Sequence, residues 1–172
     1  LRIKRGGIML LNINKFLLSD ATSLKVNENL IIDDEDFSEK TRLHKHVLLS
    51  GEIFKIDDNL IFTGTLNYMF ACECARCLKK FDNTVKAKFQ AAIVQKEDEE
   101  SDEIQFVITD GKVQLNEAIK QVIYLSMPMK SLCSKDCKGI CPNCGVNLNY
   151  EKCQCENNLT DPRLEKLKDQ IG

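Results

Sequence analysis

Six of the nine cysteines lie within 23 residues near the end of the chain, a density typical of a metal site. They are Cys133, Cys137, Cys141, Cys144, Cys153 and Cys155. Zn²⁺ is well suited to thiolate sulfur, and four thiolates close a tetrahedral site that has no open position. The run Cys141-Pro-Asn-Cys144-Gly145 has the form of a zinc knuckle, in which a tight turn places two sulfurs on one side. The spacing predicts a structural zinc site whose surest ligands are Cys141 and Cys144.

The other two ligands of this site stay open, because two further pairs are suitably placed. Either Cys153 and Cys155 or Cys133 and Cys137 would complete the quartet. An iron–sulfur cluster is the alternative occupant, since such clusters also take four cysteines. A disulfide framework is disfavoured, because a reducing compartment is expected and the short spacings do not suit unstrained bridges.

A second cysteine group lies upstream, at Cys72, Cys74 and Cys77. Cys74 and Cys77 have knuckle spacing but lack the Pro and Gly found at Cys141–Gly145. Added to the six cysteines above, this pair makes eight sulfurs, enough for two four-thiolate sites. The alternative is a strand end whose cysteines simply pack in the interior.

Basic residues accompany both cysteine groups. They are Arg76, Lys79, Lys80, Lys86, Lys88, Lys130, Lys135 and Lys138. The net charge is −2, but eleven acids are concentrated in 33–39 and 97–103, and without them 15 acids face 24 basic residues. This segregation predicts a basic face that binds nucleic-acid phosphates. The alternative is an ordinary solvated strand face, since alternating lysines are common on exposed sheets.

The sequence carries no recognisable catalytic motif. It has no phosphate-cradling glycine loop, no G-x-S-x-G and no H-E-x-x-H. The two histidines, His44 and His46, lie in a predicted strand away from the cysteines, so a cysteine nucleophile would lack a positioned base. We therefore expect a protein that is not an enzyme and has no small-molecule substrate.

The composition is that of a folded globular protein, with 172 residues of which 43% are apolar and 29% charged. No run of about 18 apolar residues occurs, so a membrane span is not expected. The first residues do not resemble a secretory leader, and we expect a cytoplasmic protein. The segment Arg5-Gly6-Gly7-Ile8 raises the hypothesis that a ribosome-binding site is translated there and that Met9 is the natural start.

Hydrophobic patterning predicts an α+β fold around a mostly antiparallel β-meander sheet. Strands are expected at 9–18, 43–57, 59–73, 83–95 and 104–108, with a loop or short helix over 19–40. The period then changes, because Leu115, Ile119 and Val122 lie on one stripe of an amphipathic helix that ends at Pro128.

A short C-terminal helix is expected after Thr160-Asp161-Pro162, with proline in its first turn. We expect two parts, an α+β core domain over 9–128 and a cysteine-rich, zinc-binding extension with this helix over 129–172. The extension has no second core of its own, so it is expected to pack on the first part.

The order of these motifs resembles the YceD family, the large ribosomal RNA subunit accumulation proteins. The matching residues are Leu49-Ser50-Gly51, Cys74-Ala-Arg-Cys77-Leu78, Leu125-Ser-Met-Pro128-Met129, Cys133-x3-Cys137-Lys-Gly-Ile-Cys141-Pro-Asn-Cys144-Gly-Val-Asn-Leu-Asn, Cys153-Gln-Cys155 and Asp161-Pro162-Arg163-Leu164. The resemblance covers roughly residues 43–170 and is most specific in the C-terminal half.

The resemblance implies a non-enzymatic role in accumulation of the large-subunit ribosomal RNA. The implied partners are ribosomal RNA or a large-subunit precursor particle, with ribosomal proteins as further candidates. The resemblance implies that the metal is bound within residues 133–155 and that Cys74 and Cys77 do not belong to this metal site. Motif and charge suggest RNA contacts at Arg76, Lys79, Lys80, Lys138 and Arg163. The alternative function is a zinc-stabilised protein-interaction adaptor that does not contact RNA.

Overall fold

The computed structural model of the chain describes residues 9–57, 59–96, 100–101 and 103–155. The hypothesis about Met9 as the start, the predicted C-terminal helix and the predicted RNA contact at Arg163 concern residues outside these ranges. Within them, the protein is mostly sheet with few helices, which confirms the coarser form of the predicted α+β class.

Seven strands and three helices make up the described part of the chain. In order they are β1 Leu10–Asn12, α1 Asn14–Leu17, β2 Ser23–Ile31, α2 Glu35–Thr41, β3 Leu43–Ile56, β4 Asn59–Glu73, β5 Lys80–Val94, β6 Gln105–Thr109, β7 Lys112–Gln114 and α3 Asn116–Ser126. None of the helices described is long and apolar enough to cross a membrane.

The strands form one sheet in the order β1-β7-β6-β5-β4-β3-β2. The four long strands β2 to β5 are antiparallel neighbours in chain order, whereas β5 and β6 run parallel. The turn between β3 and β4 contains Asp57 with φ 53°, and the turn between β6 and β7 contains Asp110 and Gly111 with φ 51° and 67°. Asp, Asn and Gly tolerate this left-handed conformation better than other residues do.

Two local predictions were wrong at the beginning of the chain. The strand predicted over 9–18 ends at Asn12, and Lys15 lies in the short helix α1. The stretch predicted as a loop or short helix over 19–40 contains the nine-residue strand β2 before α2. Within β2, Glu28 interrupts the alternation of the buried Val26 and Leu30, which concealed the strand in the sequence.

The hydrophobic core lies between one face of the sheet and helix α3. Phe62, Leu66 and Tyr68 alternate along β4 and are fully buried. Ile119 and Ile123 of α3 are buried in the same cluster. The Tyr68 hydroxyl is 3.2 Å from the Ile123 carbonyl oxygen and 2.8 Å from Ser126 Oγ, so its polar end is satisfied inside the core.

Two paired glycines allow close packing at the centre of the sheet. Gly51 of β3 lies directly opposite Gly64 of β4. A Cβ atom on Gly51 would lie 2.4 Å from the Thr63 carbonyl oxygen, and one on Gly64 would lie 2.7 Å from the Phe89 ring. Any side chain here would displace backbone or core, so this close packing requires glycine at both positions.

Helices α2 and α3 are joined by a charged contact that predicts a pH dependence. The Asp34 carboxylate caps α2 by accepting the Phe37 N–H at 3.0 Å, and it is also 3.0 Å from Lys120 Nζ. The first of these bonds, then the second, lowers the pKa of Asp34 below its ordinary 3.8. A carboxyl with a lowered folded pKa stabilises the fold above its unfolded pKa, and this contribution is lost as pH falls through the folded value.

We expect Asp34→Asn to lower the free energy of unfolding at neutral pH, because the amide keeps the cap but loses the charge. The deficit relative to wild type should shrink as pH falls below about 4, where the wild-type carboxyl also becomes neutral. Urea unfolding at several pH values measures it. A deficit that stays constant with pH would show that the contact does not act through charge.

Candidate metal centre

Eight of the nine cysteines form two clusters in the described structure, and within each cluster the four sulfurs lie within 4.8 Å of one another. The first cluster contains Cys74, Cys77, Cys133 and Cys137. The second contains Cys141, Cys144, Cys153 and Cys155. The ninth, Cys72, is half-buried and packs against the main core instead.

The first cluster joins the end of β4 to the cysteine-rich extension. Cys74 Sγ is 3.7 Å from Cys137 Sγ, and Cys77 Sγ is 3.6 Å from Cys133 Sγ. The expectation that Cys74 and Cys77 stand apart from the extension was therefore wrong. Each pair lies about 60 residues from the other in sequence, and only the folded chain brings them together.

A tight turn after β4 places Cys74 and Cys77 on one side. The Leu78 N–H donates to the Cys74 carbonyl at 3.0 Å, and the Cys74 N–H donates to the Lys79 carbonyl at 2.9 Å. Leu78 has φ 58°, a left-handed conformation that closes the turn without glycine. Cys74-x2-Cys77 therefore forms a knuckle-like turn although it lacks the Pro and Gly of the other motif.

Backbone contacts hold the extension against this turn. The Ala75 N–H donates to the Ser131 carbonyl at 2.9 Å, and the Ile140 N–H donates to the Arg76 carbonyl at 3.1 Å. Gly139, with φ 78°, passes so close that a Cβ would lie 3.1 Å from that same carbonyl oxygen. The first cluster is thus enclosed by two loops that pair directly.

The second cluster is local to the extension and is more exposed. Cys153 Sγ is 3.3 Å from Cys141 Sγ and 3.7 Å from Cys144 Sγ. The Gly145 N–H donates to the Cys141 carbonyl at 2.9 Å, and Gly145 has φ 73°, as the knuckle sequence requires. Cys144 is exposed, whereas three of the four cysteines in the first cluster are buried.

The surroundings of the sulfurs favour the thiolate form of at least one cysteine in each cluster, Cys74 in the first and Cys141 in the second. Backbone N–H groups, that of Cys133 foremost, lower the pKa of Cys74 to about 6. The N–H groups of Cys144 and Asn143 lower the pKa of Cys141 to about 6.

Within each cluster, neighbouring sulfurs also make it harder for some of the thiols to ionise. The thiol of Cys77 raises the pKa of Cys133, and that of Cys153 raises the pKa of Cys155. Four thiolates this close repel one another, and a divalent cation at their centre removes the conflict. The donor sets therefore fit a four-thiolate metal, for which each cluster supplies every ligand and leaves no position open.

Two asparagines that received no role from the sequence support the first cluster. The Asn149 side-chain amide donates to Cys137 Sγ at 3.4 Å, and its oxygen accepts the Lys138 N–H at 2.8 Å. Asn147 Oδ1 accepts from the Asn149 N–H at 3.0 Å and from its amide at 2.7 Å. Both lie in the Val-Asn-Leu-Asn motif after the knuckle, which was the available signal. Such partners orient metal ligands and reduce the charge on sulfur.

Four of the five basic residues predicted to contact RNA lie in the described structure, and they surround the first cluster. Arg76 is exposed, but its guanidinium donates to the Cys137 carbonyl at 2.8 Å and is 3.4 Å from the Lys135 carbonyl. Part of its hydrogen-bonding capacity therefore fixes the loop. Lys79 and Lys138 are exposed on the same two loops, and Lys80 is exposed at the first position of β5.

Comparison with known proteins shows which family the chain that carries these clusters resembles. The profile of the family described as "Large ribosomal RNA subunit accumulation protein YceD" matches residues 62–169, more than half of the chain. The chain belongs to the YceD family. The matched span contains all eight clustered cysteines, so the predicted family resemblance is confirmed.

Curated relatives of this YceD-family chain occur in bacteria and in plants. An uncharacterised protein of Mycobacterium tuberculosis is 31% identical over 133 residues, covering 72% of this chain and 61% of the relative. A protein of Mycobacterium leprae is 26% identical over 129 residues, covering 72% of this chain and 58% of the relative. The chain thus spans about three-fifths of the length of these mycobacterial proteins.

A plant relative has a descriptive name. The chloroplastic large ribosomal RNA subunit accumulation protein YCED homolog 1 of Arabidopsis thaliana is 21% identical over 139 residues, covering 63% of this chain and 43% of the relative. The name describes an accumulation factor and not an enzyme. No solved structure matches the chain.

Proposed function

We propose that this protein is a non-enzymatic factor in accumulation of large-subunit ribosomal RNA and that zinc in both cysteine clusters shapes its RNA-contacting end. The observation that carries the proposal is the first cluster, in which four thiols from two distant segments meet inside the family-matched region. Zinc is the metal best suited to closed four-thiolate sites with a structural role. The proposal places the protein in the cytoplasm, with ribosomal RNA or a large-subunit precursor as partner and ribosomal proteins as further contacts.

The charges around the clusters support an RNA partner. Exposed lysines flank the cysteines on both loops, at Lys79, Lys80, Lys130, Lys135 and Lys138. A metal that fixes two loops also fixes the lysines they carry, which favours binding to a polyanion of defined shape. We retain the predicted division into a core over 9–128 and a zinc-binding extension over 129–172 as part of this proposal.

One observation favours the alternative, a protein-interaction adaptor without RNA contact. In the last turn of α3, Tyr124 and Leu125 are each 70% exposed, and Met129 just beyond the helix is fully exposed. Adjacent exposed apolar side chains are characteristic of protein-binding surfaces. Both functions use the same zinc-stabilised end of the protein. A direct test must therefore separate the contribution of the lysines to binding from that of the exposed apolar residues.

Density-gradient sedimentation of cell extracts separates the two functions. At low salt we expect the wild-type protein to co-sediment with large-subunit precursors, and high salt should release it because phosphate contacts are screened. The triple change Lys79→Glu, Lys80→Glu, Lys138→Glu should move most of the protein to the top of the gradient.

The matched comparison is the double change Leu125→Ser, Met129→Ser, which leaves the lysines in place. Retention of this variant on the particles supports the RNA-contact function. If it dissociates and the lysine variant stays bound, the adaptor is the correct function. A wild-type protein that stays at the top of the gradient at low salt would refute the RNA-contact function. Protein partners captured in a pull-down that RNase does not affect would then favour the adaptor.

A further inference from the structure

The face of the sheet that points away from the core contains an open groove across its four long strands. The groove has a volume of about 730 Å³. Its lining residues are Lys25, Asn27, Ser50, Gly51, Glu52, Thr63, Gly64, Thr65, Lys88, Phe89 and Gln90. It lies apart from the cysteine clusters and has no role in the function proposed so far.

The groove is lined by two rows of side chains that follow the strand register. One row runs Lys25, Glu52, Thr63, Gln90 and the next runs Asn27, Ser50, Thr65, Lys88. Neighbouring strands lie about 4.8 Å apart, so the two lysines stand at opposite corners of a surface about 14 Å wide. Between them are mainly hydroxyl and amide groups, which are the groups that contact phosphate and sugar.

The rows contain a single carboxylate, which leaves two lysines against one acid. Glu52 accepts a hydrogen bond from the Ser23 hydroxyl at 2.7 Å, which directs one of its oxygens to the edge strand. The rows therefore keep a net positive charge of one and a majority of neutral hydrogen-bonding groups. A third lysine, Lys86, follows on the same face opposite Asn67.

The floor of the groove is formed by four strands that pair continuously and carry two glycines at their centre. Gly51 and Gly64 meet at its centre, where a Cβ on Gly51 would also lie 2.7 Å from the Gly64 Cα atom. Strands can approach this closely only without side chains, and glycine inside a strand often marks a position where another backbone approaches. The groove is thus preorganised, which lowers the entropic cost of binding an extended chain.

Strand β5 connects the groove with the cysteine-rich end. Lys80 begins β5 beside the first cluster, and the even positions Lys86 and Lys88 lie on the same face of the strand as Lys80. From Lys80 to Lys88 the strand rises about 26 Å at roughly 3.3 Å per residue. Asp82, which lies between them, is engaged by His44, whose Nε2 is 3.0 Å from its carboxylate.

We propose that this groove binds the sugar–phosphate backbone of single-stranded RNA, whose path continues along β5 to the zinc-stabilised end. The inference rests on the proposed RNA function and extends it to a second surface. A single strand fits the geometry because an open sheet face contacts an unpaired chain along its length. The groove would contribute affinity with little sequence preference, since the groups that line it address phosphate and sugar.

Fluorescence anisotropy of zinc-loaded full-length protein with a fluorescein-labelled 20-mer of uridine tests the proposal. For Lys25→Ala, Lys88→Ala we expect about tenfold weaker binding and a salt slope reduced in magnitude by about 1.4, because each phosphate contact to a single strand contributes about 0.7. The matched control Lys15→Ala, Lys112→Ala removes the same charge from exposed positions outside the groove and should bind like wild type.

Equal affinities of the groove variant and the control variant would overturn the proposal, as would displacement of the probe by duplex RNA as readily as by single strands. Cross-linking of a 4-thiouridine probe to groove peptides gives a second readout that does not depend on substitutions. Loss of binding in the Lys79, Lys80, Lys138 variant alone would refute the groove and leave the proposed function standing. The proposed function itself is refuted only by the density-gradient experiment, if the wild-type protein does not co-sediment with large-subunit precursors at low salt.

Discussion

The variant Cys74→Ser is expected to bind one zinc ion per chain where the wild-type protein binds two. Cys74 lies at the end of β4, and its sulfur is 3.7 Å from that of Cys137 in the extension. Serine is a poor zinc ligand at neutral pH, so the first cluster loses the fourth sulfur that a structural site requires. Structural zinc contributes about 10–16 kcal/mol in small zinc-finger peptides, so this loss should outweigh single changes outside the two cysteine clusters.

The same change should release the extension from the core. The Ala75–Ser131 hydrogen bond and the Arg76–Cys137 contact connect the two loops only while the cluster holds them in place. Limited proteolysis of Cys74→Ser should therefore cut within residues 129–155 while the sheet stays intact. Zinc content by mass spectrometry and the cleavage pattern together measure the effect.

Two other cysteine variants make the prediction specific. Cys72→Ser is the matched control and should keep both ions, because Cys72 packs on the main core outside either cluster. Cys144→Ser should also lose one ion but leave the contact between core and extension in place, since the second cluster is local. Unchanged zinc content in Cys74→Ser would refute the first site. Stoichiometric iron with visible absorption would show that an iron–sulfur cluster, and not zinc, occupies the cysteines.

The second large effect is expected from Phe62→Ala in the centre of β4. Phe62 is completely buried, and its ring centroid lies 5.2 Å from those of Phe89 and Phe106. Truncation of a buried phenylalanine removes its transfer free energy and leaves a cavity, which costs about 3–5 kcal/mol. Because the Phe62 ring also lies against Gly51 in the paired strands, the sheet has little freedom to collapse into the cavity.

The neighbouring residue supplies the control. Ile61→Ala changes the opposite face of the same strand, where the side chain is only half-buried, so we expect a loss below about 1.5 kcal/mol. Urea unfolding of the zinc-loaded proteins at pH 7 compares the two. Similar losses for both variants would contradict the assignment of the core to the Phe62 face.

Much of the sheet could be predicted because its long strands alternate cleanly. In β4 and β5, apolar residues at every second position face the core and polar residues face solvent, and period 2 is visible without a structure. Strand β2 could not be predicted in this way. Glu28 breaks its alternation, and the strand exists because the edge of β3 is available for pairing from Ser23 to Ile31.

The cysteine clusters show a similar division between local and long-range information. The sequence alone shows that cysteine thiolates dominate the site. It also predicts the local turn at Cys141-x2-Cys144-Gly145, because that turn depends on a few adjacent residues. Motif order also placed the chain in its family. Only the tertiary structure decided which four sulfurs meet, since the partners of Cys74 and Cys77 lie about 60 residues away, beyond β5, β6, β7 and α3, and come close only in the folded chain.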